Sequence, residues 1–351
     1  MYNVLMKRQT LRGEQEGFAA LVIAITLVVI VGLISVGFAQ LMRREITQAT
    51  GKQLANQAYY AAESGVNDAV AALNNGYVGK KTSCDPIVGP KTLAEAYLSK
   101  NDVDSTNSEW TCLLIDSAPG TLKYSPVDQV NPTAFVARAV DPSGAQTNFT
   151  SLTVSWEDAD QSSPQKIRST SGVGNVSFPP AGGAWDAIGV VRISITPIGL
   201  GAVDRATLQN NTFTAYLYPT TTASNNTFTY TNVASAQGVV MDGKCSPGNT
   251  PLRCSVTING GGGSAPRVLI SLRSIYSDTK VFISANGGAD NLADAQSLVD
   301  STGRAQDVLK RIQVRIPNRN SFYYPGFTLE TIGNACKQLR VRPGFSDSGG
   351  C

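Results

Sequence analysis

No histidine occurs in this 351-residue chain, so the side chain that most often serves as general base and as metal ligand is missing. Neither a G-x-S-x-G nucleophile elbow nor a G-x-x-x-x-G-K-[ST] phosphate loop is present. The string GYVGKKT, Gly76 to Thr82, has the wrong spacing for a phosphate loop and reads as a helix-ending turn. Charge is sparse as well. Only 16% of residues are charged and the net charge is +3, too mild and too dispersed for a nucleic-acid surface. The expectation is therefore a protein that is not an enzyme, has no cofactor and gives no indication of nucleic acid as a partner. With 42% hydrophobic residues the chain can still build a sizeable core.

Proline and charge are both missing where they would matter most. From Phe18 to Ala39 the chain reads FAALVIAITLVVIVGLISVGFA, roughly 33 Å of uncharged helix and enough to cross a bilayer core. No proline or turn cluster interrupts the stretch that follows, so span and continuation form one rod of about 80 Å. Beyond the span, Leu54, Ala58, Ala61, Gly65, Ala69 and Leu73 recur at helical spacing with Ala62, Val66 and Val70 beside them. This narrow stripe of small residues suits close packing on a flat surface. Gly32 and Gly37 each loosen the span by roughly 1 kcal/mol relative to alanine.

Ahead of the span stand Lys7, Arg8 and Arg12, then Gly17, with Phe18 opening the apolar run. A basic leader, a glycine, a phenylalanine and an apolar helix that continues as an amphipathic one together resemble the class III signal of type IV prepilins. The segment AYYAAESGVNDAVAAL, Ala58 to Leu73, resembles the helix after the span in minor pilins with a PilX-like amino-terminal region. The likeness covers about the first 75 residues. It implies cleavage after Gly17 by a prepilin peptidase and methylation of Phe18. Major pilins usually carry a glutamate five residues into the mature chain, where Val22 stands here. That carboxylate is tolerated in lipid because it attracts the amino terminus of a neighbouring subunit. Its absence points to a minor or tip component.

Positive charges flank the span on both sides, with Arg43, Arg44 and Lys52 just after it, so charge counting does not fix the topology. Cysteines do. Cys84, Cys112, Cys245, Cys254, Cys336 and Cys351 all follow the span, as expected for disulfides on an oxidising side. Sequence does not choose among the possible connectivities, and nearest-neighbour pairing is the simplest expectation: Cys84 with Cys112, Cys245 with Cys254, Cys336 with Cys351. No close ligand pairs or histidines exist for a zinc site. Two acidic strings have partial calcium-loop spacing and read as solvated charge: Asp102, Asp104 and Glu109, where Asn107 replaces the needed glycine, and Glu157, Asp158 and Asp160.

Asn74, Asn75 and Gly76 end the helix, and Thr92 to Ser99 is a short helical candidate. Strand-like runs begin at Ala134, Phe149, Gly189, Phe213, Arg267, Lys280 and Val308. In the last of these, Arg311, Gln313 and Arg315 alternate with Ile312, Val314 and Ile316, a strand able to lie over the helix stripe. Val308 to Leu339 also resembles the last strand and C-terminal loop of pilin-like proteins. Tyr323, Tyr324 and Phe327 read as packing of that loop, and Gly260 to Gly263 as a flexible tip.

The expected fold is α+β: one long helix on an antiparallel sheet, enlarged by β-rich insertions between about 155 and 265. Its divisions are a leader (1–17), a transmembrane segment (18–39), an amphipathic continuation (40–75), a helix-to-sheet connection (76–133) and a β-rich ectodomain (134–351). The resemblance implies a filament subunit stored in the cytoplasmic membrane and then exported into an extracellular filament. Its partners would be other pilin subunits, met through the helix. Two alternatives stand beside it: an uncleaved single-pass adhesin or receptor, and a secreted enzyme released after Ala39, for which the apolar run is too long.

Overall fold

A computed structural model describes residues 10–99, 108–130, 132–160, 167, 187–199, 211–221, 227–229, 237–246, 252–260 and 265–318. The expectations for Asp102, Asp104, Tyr323, Tyr324, Phe327, Cys336 and Cys351 lie outside them.

Helix α1 runs without interruption over Thr10–Asn74, a rod of about 100 Å at 1.5 Å per residue. It stops where expected. Gly76 adopts a positive φ of 84°, its N–H reaches Leu73 O at 3.0 Å, and the Tyr77 N–H reaches Ala72 O at 3.0 Å. Those two bonds form a Schellman motif, which satisfies the carbonyls that a helix end leaves open. The short helix α2, Leu93–Tyr97, begins with a capping box in which Thr92 and Glu95 bond each other's backbone N–H groups.

The strands are β1 (Lys80–Lys81), β2 (Ser108–Asp116), β3 (Leu122–Val127), β4 (Thr133–Val140), β5 (Ser151–Asp158), β6 (Val190–Ile198), β7 (Phe213–Thr220) and β8 (Thr227–Thr229). There follow β9 (Gln237–Cys245), β10 (Cys254–Asn259), β11 (Arg267–Ile275), β12 (Thr279–Ala285), β13 (Asn291–Ala293), β14 (Gln296–Ala305) and β15 (Val308–Pro317). Two sheets result. One has the order β1-β2-β14-β15, and the other runs β13-β4-β11-β6-β7-β9-β10-β5-β12-β3 with β8 beside β10. The expectation of an antiparallel sheet needs amending, because β7 pairs with β9 and β10 with β8 in parallel. The helix-to-sheet connection, read from sequence as turns and one helix, also carries β1, β2 and β3.

Chain contacts divide the described residues into two units. The first holds α1 as far as Asn67, β2 as far as Cys112, β14 from Ser301 and β15 as far as Ile312. Its packing is set by small residues. Ala58, Ala61, Ala62 and Gly65 are buried, and a Cβ built on Gly303 of β14 would fall under 3 Å from backbone atoms of Ala58, Ala61 and Ala62. One on Gly65 would meet the Ser301 hydroxyl and then Trp110 Cγ at 3.1 Å. Only residues this small let a helix and a strand approach backbone to backbone.

The second unit contains the large sheet. Alternate residues of its strands point to one core, as the two-residue period requires. Val191, Ile193 and Ile195 of β6, Val268, Ile270 and Leu272 of β11, and Phe213, Ala215 and Leu217 of β7 share this core with Leu152, Val154 and Trp156 of β5 and Val281 and Ile283 of β12. Trp156 is fully buried and donates its indole N–H to Gly189 O at 3.0 Å. Gln296 finishes the edge of β3: it accepts from Lys123 N at 3.1 Å and donates to Lys123 O at 3.0 Å, which covers an otherwise open strand.

Candidate functional site: the amino-terminal helix

Helix α1 presents two different surfaces to its surroundings. Every described side chain from Phe18 to Gln53 is exposed, including Phe18 at 71%, Val28 at 72% and Leu33 at 69%. Bare apolar area on the order of 2,000 Å² would cost about 50 kcal/mol in water, so water is not the medium of this half. By length and composition α1 is the one helix among the described residues able to cross a membrane. Its polar groups are already satisfied. The Thr26 hydroxyl donates to Ile23 O at 2.9 Å and Ser35 to Val31 O at 2.8 Å, which removes the penalty of unbonded hydroxyls in lipid.

Past Gln53 the helix turns one face toward its own chain. The small-residue stripe found in the sequence is spent there, under Gly303 and Trp110 of the first unit, so it is not a free surface for neighbours. The strand against Ala58, Ala61 and Ala62 is β14, and β15, the strand the sequence placed over the stripe, comes near it farther along, where Ile316 lines a small pocket with Val70 and Leu73. Tyr59 and Tyr60, 49% and 65% exposed, stay on the outside of the rod. Around this contact Thr111 Oγ1 donates to Thr302 O at 3.3 Å, and Arg304 forms an ion pair with Glu109. Glu109, one of the calcium candidates, is thus paired with a cation.

Gly17 and Phe18, the residues of the expected processing step, lie within α1 with no break in the helix between them. Val22 is 43% exposed on the apolar half. The four described cysteines are all oxidised. Cys245 and Cys254, directly opposite on β9 and β10, are joined, and Cys84 and Cys112 are both disulfide-bonded. These bonds fit an extracytoplasmic location for the β-rich part.

The other acidic string also falls apart as a metal site. Glu157 is buried and takes Arg253 at 2.9 Å and Lys280 at 3.4 Å, so two cations already occupy its carboxylate. Asp158, its neighbour, has a carboxyl pushed above the usual range, first by burial, and it accepts the Asp160 N–H at 3.1 Å. Among the described residues no group of three or more acidic, cysteine or histidine side chains is placed to hold a metal ion.

Gly303 and Trp110 are the residues of this site that sequence reasoning did not find. The available signal was complementarity: Ser301-Thr302-Gly303 is a short run of small residues matching the small stripe on α1. Comparison of the chain with protein-family models, with curated proteins and with solved structures finds no match in any of the three.

Proposed function

We propose that this chain is a minor or tip subunit of a type IV pilus or a related filament, working by assembly and surface contact and not by chemistry. The observation that carries the reading is the division of α1 into a fully exposed apolar half and a half bound to its own β-strands. A helix built this way can be stored in a membrane and later withdrawn into a bundle of like helices, while the strands travel with it as cargo. The basic leader, Gly17 and Phe18 support processing by a prepilin peptidase, and Val22 in place of glutamate supports a position with no subunit above it. On this reading neighbouring subunits meet the apolar half and the Tyr59–Tyr60 side, since the opposite face is taken. The β-rich part then faces outward from the filament.

The test is abundance and phenotype together. In sheared surface filaments the protein should be far scarcer than the main subunit, and its deletion should change filament number or adhesion. Finding it as the most abundant filament protein would overturn the minor or tip assignment. Its absence from filaments, with the full chain still in the membrane, would replace the reading with that of an uncleaved single-pass adhesin or receptor.

A further inference from the structure

A cavity of about 320 Å³ opens in the second unit where the chain leaving α1, the end of β2, the turn after β4, strand β13 and the residue after β15 converge. Tyr77, Lys80, Asp116, Arg138, Asp141 and Asn291 line it, with Asp294 behind Arg138. Its charges are held in fixed pairs. Lys80 Nζ sits 3.0 Å from Asp116, and the Arg138 guanidinium grips Asp294 with Nε at 2.8 Å and Nη2 at 3.2 Å. Asp141 is fixed as well: one of its oxygens accepts from Ser143 N, Ser143 Oγ and Ala145 N. Those bonds, the Ser143 hydroxyl foremost, hold its carboxyl below the usual range, so it remains an acceptor.

Some hydrogen-bonding capacity is left over. Among the described residues, no hydrogen bond is made by Arg138 Nη1, the remaining ammonium protons of Lys80 or the Asn291 amide, and Asp141 Oδ2, on the carboxylate that Ser143, Ala145 and Gly144 hold, faces the same cleft as an acceptor. Donors and acceptors are therefore both present in one cleft, and each cation is already neutralised. An anion gains little from cations that are spoken for and meets Asp141, a carboxylate with no cation beside it, while a metal ion finds no group of three or more ligating side chains placed to hold it among the described residues. A neutral polyol gains from both, because each hydroxyl donates once and accepts twice. Tyr77, Val78, Val140 and Ala293 supply an apolar wall for the C–H face of a ring. Burial raises the Tyr77 phenol above its ordinary range, so it stays neutral. The volume lies at the small end of ligand clefts, roughly 300–1,000 Å³, which suits one sugar ring and not a larger cofactor.

The geometry points to this cleft as a binding site for a neutral saccharide, one ring of which is held between Arg138, Asp141 and Asn291 against Tyr77. The inference rests on the second unit alone and stands whether or not the chain assembles into filaments.

The test uses the full chain in a detergent without a sugar headgroup, labelled and applied to an array of neutral and acidic glycans, followed by titration with the best neutral monosaccharide. Binding should favour neutral glycans and saturate in the millimolar range. Asp141→Asn keeps the turn, since asparagine retains the accepting oxygen, and should weaken binding at least tenfold. Asn291→Ala should weaken it several-fold, with both variants keeping a cooperative melting transition. No saturable binding to any neutral glycan, or equal binding by the variants and the unaltered protein, would overturn the site. Preference for galacturonate or for calcium over neutral sugars would overturn the ligand class.

Discussion

Replacing Gly303 with alanine tests the helix-to-strand contact with a single added carbon. The new Cβ would fall under 3 Å from Ala58 O, Ala61 C and Ala62 N, all of them backbone atoms of α1. No side-chain rotation relieves that overlap, so either β14 or the helix must move, and the neighbouring Ala58, Ala61 and Ala62, at most 1% exposed, move with it. Overpacking a core costs typically 1–3 kcal/mol, and a clash of backbone on both sides belongs at the upper end, about 3 kcal/mol. For a folded region of this size that is a fall of roughly 6–12 °C in Tm. Trp110, 3% exposed beside Gly65, reports the change through a red-shifted emission in the detergent-solubilised protein. Gly32→Ala is the control, because a Cβ there meets nothing within 4 Å and should stabilise the helix by up to about 1 kcal/mol. A Gly303→Ala protein that melts within about 2 °C of the unaltered chain, with unchanged tryptophan emission, would refute this contact.

Gly65→Ala should cost about 1–2 kcal/mol through its overlap with the Ser301 hydroxyl, and adding Ser301→Ala should recover at least 0.5 kcal/mol of it, read as a coupling in urea unfolding. Opening the Cys245–Cys254 bond, whose residues are nine apart and both buried, by substituting both with serine should lower stability by roughly 2–5 kcal/mol; an unchanged urea midpoint would contradict that. Glu157→Gln should destabilise by about 3 kcal/mol, since it leaves Arg253 and Lys280 facing each other over a buried neutral group; a loss under 0.5 kcal/mol would show the pair to be dispensable. Asp158 binds its proton more tightly folded than unfolded, so its ionised form weighs against the fold once the pH rises above the unfolded value, and fully so above the folded one. Asp158→Asn should therefore raise Tm at pH 7 and leave it unchanged at pH 3, whereas an equal shift at both would exclude titration as the cause.

The sequence disclosed the elements built on large apolar residues better than those built on small ones. Helix α1, its stop at Gly76 and strands β4, β5, β6, β7, β11, β12 and β15 were legible because large apolar residues recur there with a period of 3.6 or 2. Strand β14 was not. Its buried positions include Ser297, Ser301 and Gly303, chosen for how little room they take beneath the helix or beside it, and a search for large apolar residues passes over them. Strand β9 was hidden by Gly238 and Gly243, which break the β-branched pattern, and β10 by its position among turn-rich segments. Of the helix surface, the apolar span and the stripe were both visible from spacing. What the stripe touches was not, because complementarity between Gly303 and Ala58 links residues more than 200 positions apart. The cleft at Arg138 and Asp141 is assembled from five separate segments, and no local pattern announces it.

Processing of the amino terminus tests the filament account most directly. Intact mass and N-terminal sequencing of the protein recovered from sheared filaments should give a chain that begins at Phe18 with a methylated amino group, and Gly17→Leu should leave the leader attached. A chain that retains Met1, or one that begins at Gln40, would contradict the account.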